Sequence, residues 1–260
     1  MKFFLKNMKI YLLCGLLFSL FLSASAIAEQ SGENKWQFHL APYAWLASQN
    51  GTVATLPGLP AADIDFDFWD DIVGNINGAF FLVGEAQKGR WGIFMDIAYV
   101  DIEIEDDQLA PYFSSLTSGT ESWIVSAAGQ YRAVEKPRAF LDILAGARYW
   151  SVDSTLALGA GALPARKISN KEDWFDPIIG LKGRSFIGDS RFFVGGGLVI
   201  GGFSVVSDFM WDANVNLGYR WTRTFSTTLG YRYLEVDYEK DDFLYDVAQH
   251  GPILGLSWRF

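Results

Sequence analysis

The chain has 260 residues and a formal charge of -9, from 21 Lys+Arg against 30 Asp+Glu. An acidic balance of this kind argues against nucleic acid or anionic phosphates as partners of the general surface. Half of the residues are hydrophobic, 16% are aromatic and 26 are glycine, yet past residue 28 no run of about 18 apolar residues occurs, which excludes a helical membrane span.

Residues 1–30, MKFFLKNMKIYLLCGLLFSLFLSASAIAEQ, place Lys2, Lys6 and Lys9 ahead of an apolar run from Ile10 to Leu22 and finish in small residues. That order is a secretory signal peptide. Ala26 and Ala28 satisfy the small-x-small rule, so cleavage is expected after Ala28, with Ala26 as the alternative. Cys14 is a poor lipid anchor, because Leu13 stands where a small residue is needed. The expected organisation is a cleaved leader over 1–28 and one domain over 29–260. Losing three lysines and no acid moves the charge from -9 to -12, and the remaining chain has no cysteine, so disulfides do not hold it.

The first strand is expected over 35–47. A long segment, 48–76, follows and contains DIDFDFWDD at 63–71. Asp63, Asp65 and Asp67 copy the first three ligands of a calcium-binding EF-hand loop, but such a loop needs Gly at its sixth position and Glu at its twelfth. Phe68 and Gly74 stand there. The favoured reading is a short strand in solvent, with Ile64, Phe66 and Phe68 on one face, Trp69 at an interface, and Asp70 or Asp71 capping a helical turn over IVGNIN. A weak divalent-cation site made of Asp63, Asp65, Asp67, Asp70 and Asp71, bridging to lipopolysaccharide, is the minority reading.

Further strands are expected at 77–88, 90–103, 121–134, 138–152, 173–187, 190–204, 208–221, 224–239 and 248–260. The clearest is WDANVNLGYRW at 211–221, with Trp211, Ala213, Val215, Leu217, Tyr219 and Trp221 on one face and Asp212, Asn214, Asn216, Gly218 and Arg220 on the other. Strict alternation over that length is a tilted membrane-crossing strand, and aromatics at both ends match two interfacial girdles. Tight turns at 88–90, 135–137, 188–190 and around Thr222 alternate with longer segments at 48–76, 105–120, 153–172 and 240–247, 205–207 being a short exception. The fold class is therefore all-β: a closed antiparallel transmembrane barrel of ten strands, eight as the alternative, with short periplasmic turns, longer extracellular loops and both termini periplasmic. A soluble barrel with its apolar face inward has the same periodicity; the end-of-strand aromatics, the loop asymmetry and Trp258 and Phe260, which form a barrel-assembly signal, favour the membrane.

The segments LDILAGARYW, DPIIGLKGR, GYRYLEVDYEKDDFLYD and GPILGLSWRF resemble the strands of small proteobacterial outer-membrane β-barrel proteins, broadly like the outer-membrane protein A transmembrane domain. The resemblance implies fold and location, with insertion by the barrel-assembly machinery, and brings no catalytic residues.

Charges facing lipid cost about 2–4 kcal/mol each at mid-depth, so Glu85, Asp96, Arg132, Asp142, Arg148, Asp176, Lys182, Arg184, Asp212, Arg220, Arg232 and Arg259 are expected in the lumen. Strand order suggests the pairs Arg132–Asp142, Arg148–Asp176 and Asp212–Arg232, since an unpaired buried charge is expensive. The preferred function is a structural or envelope role for a barrel whose narrow lumen is filled by salt bridges. The alternatives are a narrow porin-like channel for small or hydrophobic solutes, and a surface binder or adhesin working through 48–76 and 153–172. Enzymatic activity is not expected: His39 falls on the polar parity near one end and His250 on the apolar parity at the other rim, about six residues apart in height, on the order of 15 Å. No cofactor or confident metal site is expected; the partners are outer-membrane lipid and lipopolysaccharide.

Overall fold

The computed structural model describes residues 35–106 and 112–260. The expected leader, 1–28, lies outside the described residues, as do 107–111 of the expected 105–120 loop.

Ten strands close the barrel: β1 (Gln37–Trp45), β4 (Ile76–Lys88), β5 (Trp91–Asp106), β6 (Phe113–Lys136), β7 (Ala139–Ala160), β8 (Arg166–Phe186), β9 (Phe192–Gly201), β10 (Phe209–Arg220), β11 (Phe225–Lys240) and β12 (Phe243–Arg259). Each pairs antiparallel with the next, and β1 returns to β12 through His39↔Arg259 and Trp45↔Ile253. Closure leaves no exposed edge in the apolar band. The turns at 89–90, 137–138, 187–191 and 221–224 all lie at the end that carries residues 37 and 259; we call it the terminal end and the other the distal end.

Two short strands depart from the plan. β2 (Ser48–Ala54) continues the line of β1 along β12, after a break at Leu46–Ala47 where the Leu46 amide donates to the Pro252 carbonyl at 3.0 Å. Gly251 is required opposite this break, because a Cβ there would run into the Leu46 carbonyl. β3 (Ala62–Phe66) then folds back on β2.

Outward-facing aromatics form two rings. Trp91–Tyr131, Phe192–Tyr219 and Phe225–Trp258 pack in one, and Tyr99–Trp123, Tyr149–Phe175 and Trp211–Tyr233 in the other. On β5, β6, β10 and β11 the two rings are eight residues apart, as in Trp91 to Tyr99. That is about 26 Å of strand, or about 20 Å after a tilt near 40°, close to the apolar band of such barrels. Ile93, Met95, Val215, Leu217 and Leu229 face outward between them and are exposed.

Most strands run well past the second ring. The expected loop 153–172 is strand except at 161–165, 113–120 is strand, and 240–247 reduces to a tight turn at 241–242. The reason is a change of polarity at constant period. On β11, Ser226, Thr228 and Arg232 face inward below the ring, whereas above it Leu234, Val236 and Tyr238 face inward and Glu235, Asp237 and Glu239 outward. Lipid bathes the outer face between the rings and water bathes it beyond, so the apolar side chains change faces. The distal half consequently has an ordinary apolar core: Trp150 stacks on Trp174 at 5.6 Å and Trp174 on Tyr238 at 4.0 Å, with Val152, Tyr245 and Val247 around them, all nearly inaccessible.

Candidate functional site

Alternation between the rings turns the polar side chains of ten strands into one narrow space. In its middle Arg232 on β11 donates to Asp212 on β10 at 3.0 and 2.7 Å, to Asp96 on β5 at 2.8 Å and to the Tyr43 hydroxyl on β1 at 2.7 Å. Arg148 on β7 donates to the same Asp212 carboxylate at 2.7 Å and to Ser126 at 2.8 Å, and Tyr43 donates to Asp96 at 2.8 Å. All four charged residues are at least nine-tenths buried. Two cations face two carboxylates, so the quartet is neutral.

A second group lies one layer toward the terminal end. Arg132 binds Asp142 at 2.6 and 3.1 Å, and Lys182 contacts both Glu85 and, at 3.7 Å, Asp142. His39 lies 3.7 Å from Glu85 and 2.6 Å from the Ser257 hydroxyl. This group also balances two cations against two carboxylates.

The expected pair Arg148–Asp176 does not form. The two face each other in register on β7 and β8, but Arg148 reaches across to Asp212. Asp176 instead accepts from the Ser207 amide and hydroxyl at 3.0 and 2.7 Å and from the Trp174 indole at 3.2 Å. Neutral donors thus satisfy this fully buried carboxylate. Ser207 comes from the 202–208 connection, where Phe203 and Ser204 have positive φ of 53°. Alternation places Asp176 inside, but its partner Ser207, on a connection between strands, was not readable from it.

Arg184, Arg220 and Arg259 lie together at the terminal end around a cavity of about 530 Å³ that also touches Arg132, Arg138 and Phe186. A second cavity of about 250 Å³ lies above it, where the inward faces of Gly195, Gly197 and Gly255 contribute no side chain. The quartet of Asp96, Arg148, Asp212 and Arg232 lines its far side. At the distal end an apolar cavity of about 130 Å³ lies beneath Phe66, Phe68 and Ile72.

The acids of DIDFDFWDD are used locally. Asp63 accepts from Thr52 at 2.8 Å on the outer face, and Asp67, not Asp70 or Asp71, caps the turn Phe68–Ile72 by accepting from the Trp69 and Asp70 amides at 2.8 and 3.3 Å. The turn begins earlier than the expected IVGNIN because Phe68 and Ile72 bury against the distal core while Trp69 stays exposed. Asp71 returns to the Asp67 amide at 2.9 Å, a reciprocal cap. Asp65 and Asp70 point into solvent, and among the described residues no group of three or more His, Cys, Asp or Glu side chains is placed to hold a metal ion.

The histidines are far apart. His39 pairs with Arg259 and His250 with Ser48, nine residues along β12 rather than six. His250 stacks outward on Tyr233 at 5.7 Å and bonds the Tyr231 hydroxyl at 2.8 Å. At the chain end, the Phe260 amide donates to the Phe38 carbonyl at 2.9 Å and Trp258 packs on Phe225 at 5.1 Å.

Fold and interior define a ten-stranded transmembrane β-barrel of the outer-membrane type, with polar side chains inside the membrane band and an apolar core beyond it. The outer membrane protease OmpT from Escherichia coli is similar over 89% of this chain and 99% of its own, with a TM-score of 0.54 at 12% identity. The translocator domain of the autotransporter NalP from Neisseria meningitidis (TM-score 0.38, 11% identity, 95% and 96% covered) and the attachment invasion locus protein Ail of Yersinia pestis (0.34, 14%, 87% and 99%) are more distant. No family model matches the chain, and no curated protein matches it. At such identities the likeness concerns fold.

Proposed function

We propose that the protein is an integral protein of a Gram-negative outer membrane whose lumen is closed by its own salt bridges, with a structural role in the envelope. The observation that carries this is Arg232, whose guanidinium gathers side chains from β1, β5 and β10, while Asp212 extends the link to β7. Strands on opposite sides of a narrow barrel are joined at one level, and the stacked Trp150, Trp174 and Tyr238 lie beyond. Wide aqueous channels need about 16 strands; this barrel has ten. The leader expected over 1–28 and the aromatic chain end, Trp258 and Phe260, fit export and insertion by the assembly machinery, with the terminal end in the periplasm and the distal acids toward lipopolysaccharide. Vesicles containing the folded protein should exclude small sugars as empty vesicles do; swelling at rates that rise with protein content would refute a closed lumen.

A surface-binding role is the second reading, supported by the distal extension, where β6, β7 and β8 project about ten residues past the upper ring. Binding of folded protein to lipopolysaccharide-coated surfaces, lost when residues 161–165 are replaced by a two-residue turn, is its test. Protease activity belongs to OmpT and is not carried over, since a likeness at 12% identity concerns the fold.

A further inference from the structure

The charge balance of the interior leaves a remainder. Arg132, Lys182, Arg148 and Arg232 are offset by Glu85, Asp142, Asp96 and Asp212, and Asp176 is held by neutral donors. Arg184, Arg220 and Arg259 remain, and all three line the terminal cavity. Among the described residues no carboxylate lies within 4.0 Å of any of them, nor of Arg138 beside them. The lining's two acids are already engaged, Glu85 with Lys182 and Glu135 with Arg132.

Aromatic rings hold these cations close together. The guanidinium carbons of Arg138, Arg184 and Arg220 sit 5.1, 5.5 and 4.2 Å from the centre of the same Phe186 ring. Arg184 also lies 5.3 Å from Phe140, which Arg132 covers at 4.4 Å on the same ring. Gathering like charges costs free energy in a partly dehydrated space, and a guanidinium over a ring keeps its edge donors for a planar or tetrahedral oxyanion. Arg138 has a buried Nε with no acceptor.

We propose that this terminal cavity is a binding site for a phosphate- or carboxylate-bearing anion, held by Arg184, Arg220 and Arg259 with Arg138 at its edge. The site opens at the level of the lower aromatic ring and has the charge quartet above it, so its ligand enters and leaves by the same mouth. The binding site stands apart from the structural role proposed above; only its single mouth rests on the closed lumen.

Pyrophosphate is the probe. Titrated calorimetrically into the folded protein in a zwitterionic detergent at low ionic strength, it should saturate one site per barrel. Arg184→Gln and Arg220→Gln should each weaken it at least tenfold, whereas Arg90→Gln, on a turn at the same end and outside the cavity, should leave it unchanged. Absence of saturable binding to the wild type, or equal affinity in the Arg184→Gln/Arg220→Gln double variant, would overturn the proposal. Should the variants not fold, labelling of the wild type by phenylglyoxal decides: pyrophosphate should protect Arg184 and Arg220 but not Arg90, and unchanged labelling overturns the site. Comparing phosphatidylcholine vesicles with and without phosphatidylglycerol separates the sources. Competition by phosphatidylglycerol assigns the site to lipid phosphate, and equal affinity in both assigns it to a soluble anion.

Discussion

Replacing Arg232 by Met removes the cation that faces both Asp96 and Asp212. Asp212 keeps Arg148 at 2.7 Å and Asp96 keeps only the Tyr43 hydroxyl, so one negative charge is stranded in a space where Asp96 is 7% and Asp212 4% exposed. Breaking a buried pair from one side costs about 3–5 kcal/mol. Asp96→Asn alone strands the opposite charge and should cost a similar amount. Making both changes leaves Arg148 and Asp212 as a neutral pair, so the double variant should lose at least about 2 kcal/mol less than the sum of the singles. Urea unfolding in lipid vesicles, followed by tryptophan fluorescence and by heat-modifiable migration on gels, measures all four corners of the cycle. Strict additivity would refute the idea that these side chains form one charge-balanced unit.

Further outcomes follow from the distal half. Trp174→Ala removes the middle ring of the Trp150–Trp174–Tyr238 stack and should cost about 3–5 kcal/mol in the same unfolding assay while leaving the closed, heat-modifiable barrel intact. Asp67→Ala deletes the cap of the Phe68–Ile72 turn and should cost about 1 kcal/mol, with faster proteolysis in 62–75 and no change in calcium binding. Asp237, half-buried on the outer face, is held above its ordinary carboxyl value by burial and by the neighbouring Asp246 and Asp208. A raised folded value means stability that is present at low pH and lost as pH rises through it. Asp237→Asn should therefore melt higher than the wild type at pH 7.5 and alike below about pH 4; an equal difference at both would count against that cause.

Alternation alone placed the membrane strands, because lipid outside and polar groups inside leave a sequence such as WDANVNLGYRW only one arrangement. The same rule stops being legible at the upper ring. In GYRYLEVDYEKDDFLYD the inward face passes from Arg232 to Leu234, Val236 and Tyr238 without a break in period. A rule that keeps polar residues inward reads the distal part of β12 as loop. Which charge meets which is also not in the pattern: register sets Arg148 opposite Asp176, but a long side chain crosses the bore to Asp212. The Asp67 cap was hidden by the choice of acids nearby, and only the burial of Phe68 and Ile72 decides where the turn begins.

Conductance across a planar bilayer tests the central claim most directly. With the folded protein inserted, the Arg232 quartet and the distal core predict a baseline current over a wide voltage range. Reproducible, ohmic single-channel steps from the wild type would contradict a closed lumen.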